Sequence, residues 1–133
     1  SISGVCSSWI DSISTLFISG QVYLRQTILN TGLRQLGVQE INIIDLVKPI
    51  TKYAVLITDP KDARYHLHKA IYLATTNRPG PVWIDVPADI QMAMINRDSI
   101  KREFSPIIPL IKFLFGNHFL TKNEDNHSAN DSK

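Results

Sequence analysis

The run Pro81-Val82-Trp83-Ile84-Asp85-Val86, closed by Pro87, constrains the fold of this chain more than any other feature. A short, continuously apolar segment between breakers reads as a strand buried on both faces, and such strands belong to parallel sheets covered by helices on both sides. Two similar runs precede it. Thr15-Leu16-Phe17-Ile18-Ser19 is ended by Gly20, and Tyr53 to Ile57 follows Pro49. Helical patterns fill the intervals. Glu40 to Val47 places Ile41, Ile44 and Val47 on one face and stops at Pro49. Asp59-Pro60 opens the clearest helix, with Asp59 as N-cap and Pro60 at the first helical position. Ala63, Leu67, Ala70, Ile71 and Ala74 then recur at i, i+4, i+7, i+8 and i+11, one apolar stripe that ends before Asn77. Ahead of the first strand, Ser3 to Asp11 carries Val5, Trp9 and Ile10 in the manner of a short helix capped by Ser1 or Ser3. Strand, helix, strand, helix, strand implies an α/β fold: a partial parallel sheet with flanking helices and right-handed crossovers.

Two segments fall outside this alternation. From Gly20 to Gly37 the periodicity fades, which predicts a long loop with at most one helical turn; a loop of that length inside a compact domain is usually functional. After Ile95 the character changes. Residues 96–120 read as a linker or divergent segment, and residues 121–133, polar and poor in apolar side chains, as a disordered tail. A βα unit takes roughly 30 residues, so the α/β part, residues 1–95, holds only some of the units of a large sheet. Its open edge predicts a partial domain, since an unpaired strand edge is normally covered.

The 133 residues carry 44% apolar and 20% charged side chains, enough apolar surface for one buried core. A net charge of +2 with scattered lysines and arginines gives no basic stripe for nucleic acid. The longest apolar stretch, Ile107 to Phe119, is interrupted by Pro109, Lys112, Gly116 and Asn117 and is too short to cross a bilayer. Cys6 is the single cysteine, so the chain forms no internal disulfide and no cysteine-based zinc site; a buried thiol in a reducing, cytoplasmic setting is expected. Asn126-His127-Ser128 and Asn130-Asp131-Ser132 match the glycosylation acceptor pattern as chance occurrences in a polar tail.

Three stretches together resemble the acetolactate synthase branch of thiamine-diphosphate-dependent enzymes. The first runs from Gly4-Val5 through Trp9-Ile10-Asp11-Ser12 to Ile18-Ser19-Gly20-Gln21-Val22. The second is Gly37-Val38-Gln39-Glu40 with Lys48-Pro49-Ile50-Thr51-Lys52. The third is Asn77-Arg78-Pro79-Gly80-Pro81-Val82 running into Ile84-Asp85-Val86-Pro87-Ala88-Asp89-Ile90-Gln91. The likeness spans residues 2–91 and identifies them as the C-terminal part of a pyrimidine-binding domain. It implies a homo-oligomeric transferase of branched-chain amino acid biosynthesis that acts on 2-keto acids with thiamine diphosphate, magnesium and, in some members, FAD. It also implies that the glutamate protonating the pyrimidine ring precedes residue 1. The diphosphate and magnesium motif, Gly-Asp-Gly followed by Asn, does not occur in the chain. The expectation is therefore a fragment inactive alone, and whether this product is an enzyme stays open. A non-catalytic remnant and a small α/β subunit-binding module are the alternatives.

Residue by residue, the resemblance makes Gln39 the active-site glutamine, reaching toward cofactor and substrate, and Arg78 the arginine that contacts FAD in flavin-dependent members. A helix-end arginine facing the macrodipole is the plainer reading of Arg78. Val38 stands where synthases carry phenylalanine and Ala88 where they often carry lysine. Both departures fall at the substrate pocket. Lys52 is expected to be structural or solvated, and Pro79, Gly80 and Pro81 to turn the backbone sharply. No metal site is expected from the chain: His66 and His68 lie two apart on a helix and point to different faces. Asp85 and Asp89 could form a carboxylate pair, but Asp85 reads better as a strand-end residue binding backbone.

Overall fold

A computed structural model describes residues 1–29, 31–100 and 104 of the chain. Strand β3, Pro81–Pro87, is the middle of a three-stranded parallel sheet of order β1-β3-β2. Strand β1, Thr15–Gln21, pairs with it from Thr15↔Pro81 to Gln21↔Pro87, and β2, Tyr53–Leu56, from Tyr53↔Val82 to Leu56↔Asp85. The expected alternation is present. Helix α2, Ile43–Val47, lies between β1 and β2, and α3, Ala63–Thr75, between β2 and β3. A third helix, α1, Ile2–Ile10, precedes β1, and a short one, α4, Ala88–Gln91, follows β3.

Two apolar layers sandwich β3. On one side Val5 of α1 and Val47 of α2 pack with Trp83, against Phe17, Ile44 and Ala54. On the other, Ala70 and Ala74 of α3 pack with Ile57, Val82 and Ile84. The crossover from β1 to β2 therefore uses one face, and the return from β2 to β3 uses the other. Opposite directions on opposite faces give both crossovers the same hand, as the twist of a parallel sheet requires.

Three expectations need correction. The β1 run was expected to be buried on both faces, yet its burial alternates: Ile18 is 64% exposed and Leu16 36%. Leu16 and Ile18 share the α3 side of the sheet, and α3 spends its small residues on β2 and β3 instead. The α3 stripe divides for the same reason. Ala70 and Ala74 are buried while Leu67 and Ile71 stay largely exposed, because only a narrow side of a helix can touch a sheet this small. Finally, α2 begins at Ile43 rather than Glu40. Asn42 caps it, its Oδ1 accepting the Asp45 N–H, and the chain before it is committed to the loop.

Asp59 caps as expected, accepting the Lys61 N–H, but Pro60–Asp62 forms a 3-10 turn ahead of α3. Beyond α3, Asn77 takes a left-handed backbone, φ 53°, the conformation in which Asn commonly ends a helix. The loop after β1 is long and irregular apart from a 3-10 turn at Leu24–Gln26. The linker expected over 96–120 is seen only in its first residues, with a 3-10 turn at Arg97–Ser99. Its remainder, Phe104 excepted, and the tail at 121–133 lie outside the described residues.

Candidate functional site

The carboxyl ends of the three strands and the loop that follows β1 enclose a cleft of 240 Å³, whose lining includes Gln21, Ile28, Glu40, Asn42, Leu56 and Asp85. Loops diverge at this end of a parallel sheet, which is why α/β folds hold ligands there.

Asp85 lies at the base of the cleft and is 1% exposed. Strand alternation puts Ser19, Gln21, Trp83 and Asp85 on one side of the sheet, and the β1–β3 register sets Ser19 opposite Asp85. The Ser19 hydroxyl donates to Asp85 Oδ1 at 2.6 Å, and Gln21 Nε2 donates to Oδ2 at 3.0 Å. Trp83 Nε1 in turn donates to Ser19 Oγ at 2.7 Å while its ring stacks on Phe17 at 5.2 Å. Burial pushes the Asp85 carboxyl above its ordinary range, and the bonds from Ser19 and Gln21 pull it part of the way back. The expectation that its side chain binds backbone is corrected: both oxygens take side-chain donors, because neighbouring strands already use the backbone groups at this height. Asp89 is not its partner. It accepts the Leu24 N–H at 3.0 Å and ties α4 to the loop.

Glu40 organises the loop. One carboxylate oxygen accepts the Ile28 N–H; the other accepts Leu36 N at 2.9 Å and Gly37 N at 3.2 Å. Partial desolvation raises its pKa, but these backbone donors outweigh it and leave the group below the usual value. Gln21 Nε2 also donates to the Ile41 carbonyl at 2.9 Å, so the strand end grips the far end of the same loop. Gly37 is buried where a Cβ would come within 2.9 Å of the Gln26 carbonyl, so only glycine lets the two strands of the loop approach so closely.

Gln39 precedes Glu40 in a left-handed conformation, φ 59°, which costs a non-glycine residue energy. It is exposed, and Val38 beside it is 86% exposed. Gln39 adjoins Glu40 of the cleft lining and Val38 is one residue further along the loop, but neither is part of the lining. Ala88 is half-buried at the start of α4, on the same carboxyl side of the sheet. Arg78 is elsewhere. It follows α3 at the opposite, amino end of β3, where its Nε donates to Ser12 Oγ at 2.6 Å. With Trp9, Ile10, Lys52 and Pro79 it borders a second cleft of 440 Å³. The structure therefore brings Gln39, Val38 and Ala88 to one end of the sheet and separates Arg78 from them.

Lys52 has the structural role expected of it. Its ammonium donates to the Thr76 carbonyl at 2.6 Å and the Arg78 carbonyl at 2.8 Å, closing the end of α3. His66 Nδ1 contacts the Tyr53 hydroxyl at 2.6 Å. Among the described residues no group of three or more His, Cys, Asp or Glu could hold a metal ion, and no helix is long and apolar enough to cross a membrane. Gln21 and Glu40 lay inside the motifs quoted above, yet sequence reasoning assigned neither a role. Only the strand register puts Gln21 on Asp85, and only the loop's return puts Glu40 over Ile28.

An α/β sheet with a cleft of mixed polar and apolar lining at its carboxyl end, beside a glutamine-bearing loop, defines the class to which comparison adds the particular. The large subunit of acetolactate synthase from Porphyra purpurea is 34% identical over 100 residues, covering 75% of this chain and 16% of that protein. The chloroplastic acetolactate synthase of Arabidopsis thaliana is 37% identical over 93 residues, 70% of this chain and 13% of its own length. The acetolactate synthase of Arthrospira platensis is 35% identical over 95 residues, 71% of this chain and 15% of the relative. No family model matches the chain. The chain belongs to the acetolactate synthase-like, thiamine-diphosphate-dependent family. It spans about a sixth or less of the length of the relatives it matches.

Proposed function

We propose that residues 1–95 form the glutamine-bearing part of a pyrimidine-binding domain in an acetolactate synthase-like carboligase or decarboxylase of 2-keto acids, and that the chain does not turn over substrate alone. The observation that supports this most is Gln39, held in a costly left-handed conformation beside the cleft at the carboxyl ends of the strands. Strain of this kind survives where surrounding contacts enforce it, and it concentrates at functional sites. Thiamine diphosphate, when bound, supplies the electron sink for decarboxylation. This chain's residues fit one side of that cofactor only. Gln39 offers an exposed amide that can donate to and accept from a pyrimidine edge. Three carboxylates line the cleft: Asp85 is committed to Ser19 and Gln21, Glu40 to three backbone N–H groups, and the exposed Asp45 accepts from Asn42 Nδ2 at 2.6 Å. Asp85 and Glu40 are thus not free to exchange a proton with a ring nitrogen, Asp45 lies exposed in the first turn of α2, and among the described residues no cluster suits magnesium.

Val38 and Ala88 widen and neutralise the region where the family resemblance expects phenylalanine and lysine, which favours a keto acid other than the usual pair. Arg78 and its cleft are assigned to an optional flavin, apart from the reacting end of the sheet. A homo-oligomer in a reducing compartment such as the cytoplasm completes the reading, although the Arabidopsis thaliana relative is chloroplastic. A non-catalytic remnant is the second reading, favoured by the committed carboxylates. A chimera separates the two: residues 2–91 replace the matching stretch of the Arthrospira platensis enzyme. Retained thiamine-diphosphate-dependent pyruvate consumption, lost by roughly 100-fold on Gln39→Ala, is expected. A folded chimera with no activity, or one indifferent to Gln39, would favour the remnant.

A further inference from the structure

We infer that Glu40 is the positioning residue of this site: its carboxylate folds the loop after β1 back on itself and so imposes the left-handed conformation of Gln39. This rests on the reading of Gln39 as the cofactor-facing residue only for its functional meaning, since the clasp itself is a property of the loop.

The geometry is specific. A loop of about twenty residues has no reason of its own to hold one conformation, because ordering each residue costs backbone entropy. Here three N–H groups from two separate stretches, Ile28 on the outgoing limb and Leu36 and Gly37 on the returning limb, converge on one carboxylate. Charge-assisted bonds of this kind are stronger than neutral ones. Gly37 is buried against the Gln26 carbonyl, so the limbs meet in van der Waals contact at the clasp. The Glu40 N–H donates to the Gly37 carbonyl at 3.3 Å, closing a tight turn around Val38 and Gln39. A chain that must reach both the Gly37 carbonyl and the two N–H groups behind it has to reverse at Gln39, and φ 59° is that reversal. The other end of the turn is fixed separately, through Gln21 Nε2 on the Ile41 carbonyl and on Asp85. Gln39 is thus held between a clasp on one side and a strand-end anchor on the other, while its own side chain is left exposed.

Amide hydrogen exchange on the full 133-residue chain reads the clasp directly. Glu40→Ala should remove the protection of the Ile28, Leu36 and Gly37 amides and leave that of Val82 and Ile84 in β3 unchanged. Glu40→Gln, which keeps one acceptor oxygen, should lose part of it. Undiminished protection of all three loop amides in Glu40→Gln overturns the proposal, even where Glu40→Ala fails to fold. A double-mutant cycle reads the positioning. Gln39→Gly relieves the left-handed strain and should raise the urea midpoint of the wild type. The gain should shrink in a Glu40→Gln background, where the turn is no longer enforced. An equal gain in both backgrounds would show that the strain does not come from Glu40, and overturns the inference. If the clasp passes these tests while the chimera stays inactive, the functional reading fails and the positioning role stands.

Discussion

At the scale of single residues, Asp85 is a buried acid on which two side-chain donors converge. Removing its carboxylate by Asp85→Ala leaves Ser19 Oγ and Gln21 Nε2 facing an unfilled space, and the expected loss is about 2–4 kcal/mol of stability by urea denaturation. Its titration works in the other direction. Folding raises the pKa of Asp85, so the folded state binds the proton more tightly than the unfolded one. The stability linked to that proton is fully present below the unfolded value, about 3.9, and is lost as pH rises through the folded value. Wild type should therefore lose stability relative to Asp85→Asn as pH climbs from about 3.5 toward 7, read as the difference between urea midpoints. A difference that does not change with pH would contradict the buried-acid account. Almost none of this was legible in the sequence. Asp85 stood out as an acid in an apolar strand, but its partners lie more than sixty positions away. Only the register of two parallel strands brings them together.

Elements were legible where local chemistry decides and obscure where tertiary contact does. The Pro81–Pro87 strand appears where composition puts it, and Asp59 caps as expected, though of a 3-10 turn that leads into α3 at Ala63, because apolar continuity and capping act within a few residues. Helix α2 was misplaced by three residues because Glu40, a good helix residue, is more strongly bound to the loop than to a helix. The end of α3 was marked by Asn77, yet the group that closes it came from far off. Lys52 reaches across to the Thr76 and Arg78 carbonyls, which sit at the negative end of the helix dipole. Its stem lies against Gly80, where an added Cβ would meet Lys52 Cδ at 3.1 Å. Lys52→Met keeps the stem and removes only the ammonium. The expected cost is about 1–2 kcal/mol in thermal or urea unfolding, given two charge-assisted bonds in a partly solvated setting. The exchange of α3's last amides should rise with it, while those of α2 should not. A loss of less than about 0.3 kcal/mol would mean that water replaces the ammonium without penalty.

For the molecule as a whole, two features point to a sheet that does not supply a complete site by itself. Leu16 and Ile18 of β1 and Leu67 and Ile71 of α3 are exposed, and β1 is an edge strand of the described sheet. The cleft at the carboxyl ends of the strands is well formed, but Asp85 at its base and Glu40 in its loop are already satisfied, and the exposed Asp45 of its lining accepts from Asn42. Cofactor affinity in such a site requires groups that change partner on binding, and here Asp85 could take up a pyrimidine nitrogen only by giving up Ser19 and Gln21, Glu40 only by opening the loop, and Asp45 only by giving up Asn42. Each exchange trades one satisfied hydrogen bond for another and gains little. A diphosphate would need magnesium, and among the described residues no cluster of ligands is placed to hold it. Titration calorimetry of the 133-residue chain with thiamine diphosphate and magnesium should therefore give no heat of binding. The expected Kd is weaker than about 1 mM, little more than 4 kcal/mol of affinity. Gln39 alone can contribute one or two exposed hydrogen bonds, too few to order a charged, flexible ligand against its lost translational freedom. A micromolar Kd would mean that the loop opens and frees Glu40. The same titration with Glu40→Gln would then show it, because a freed carboxylate that binds cofactor is lost in that variant and a bystander is not.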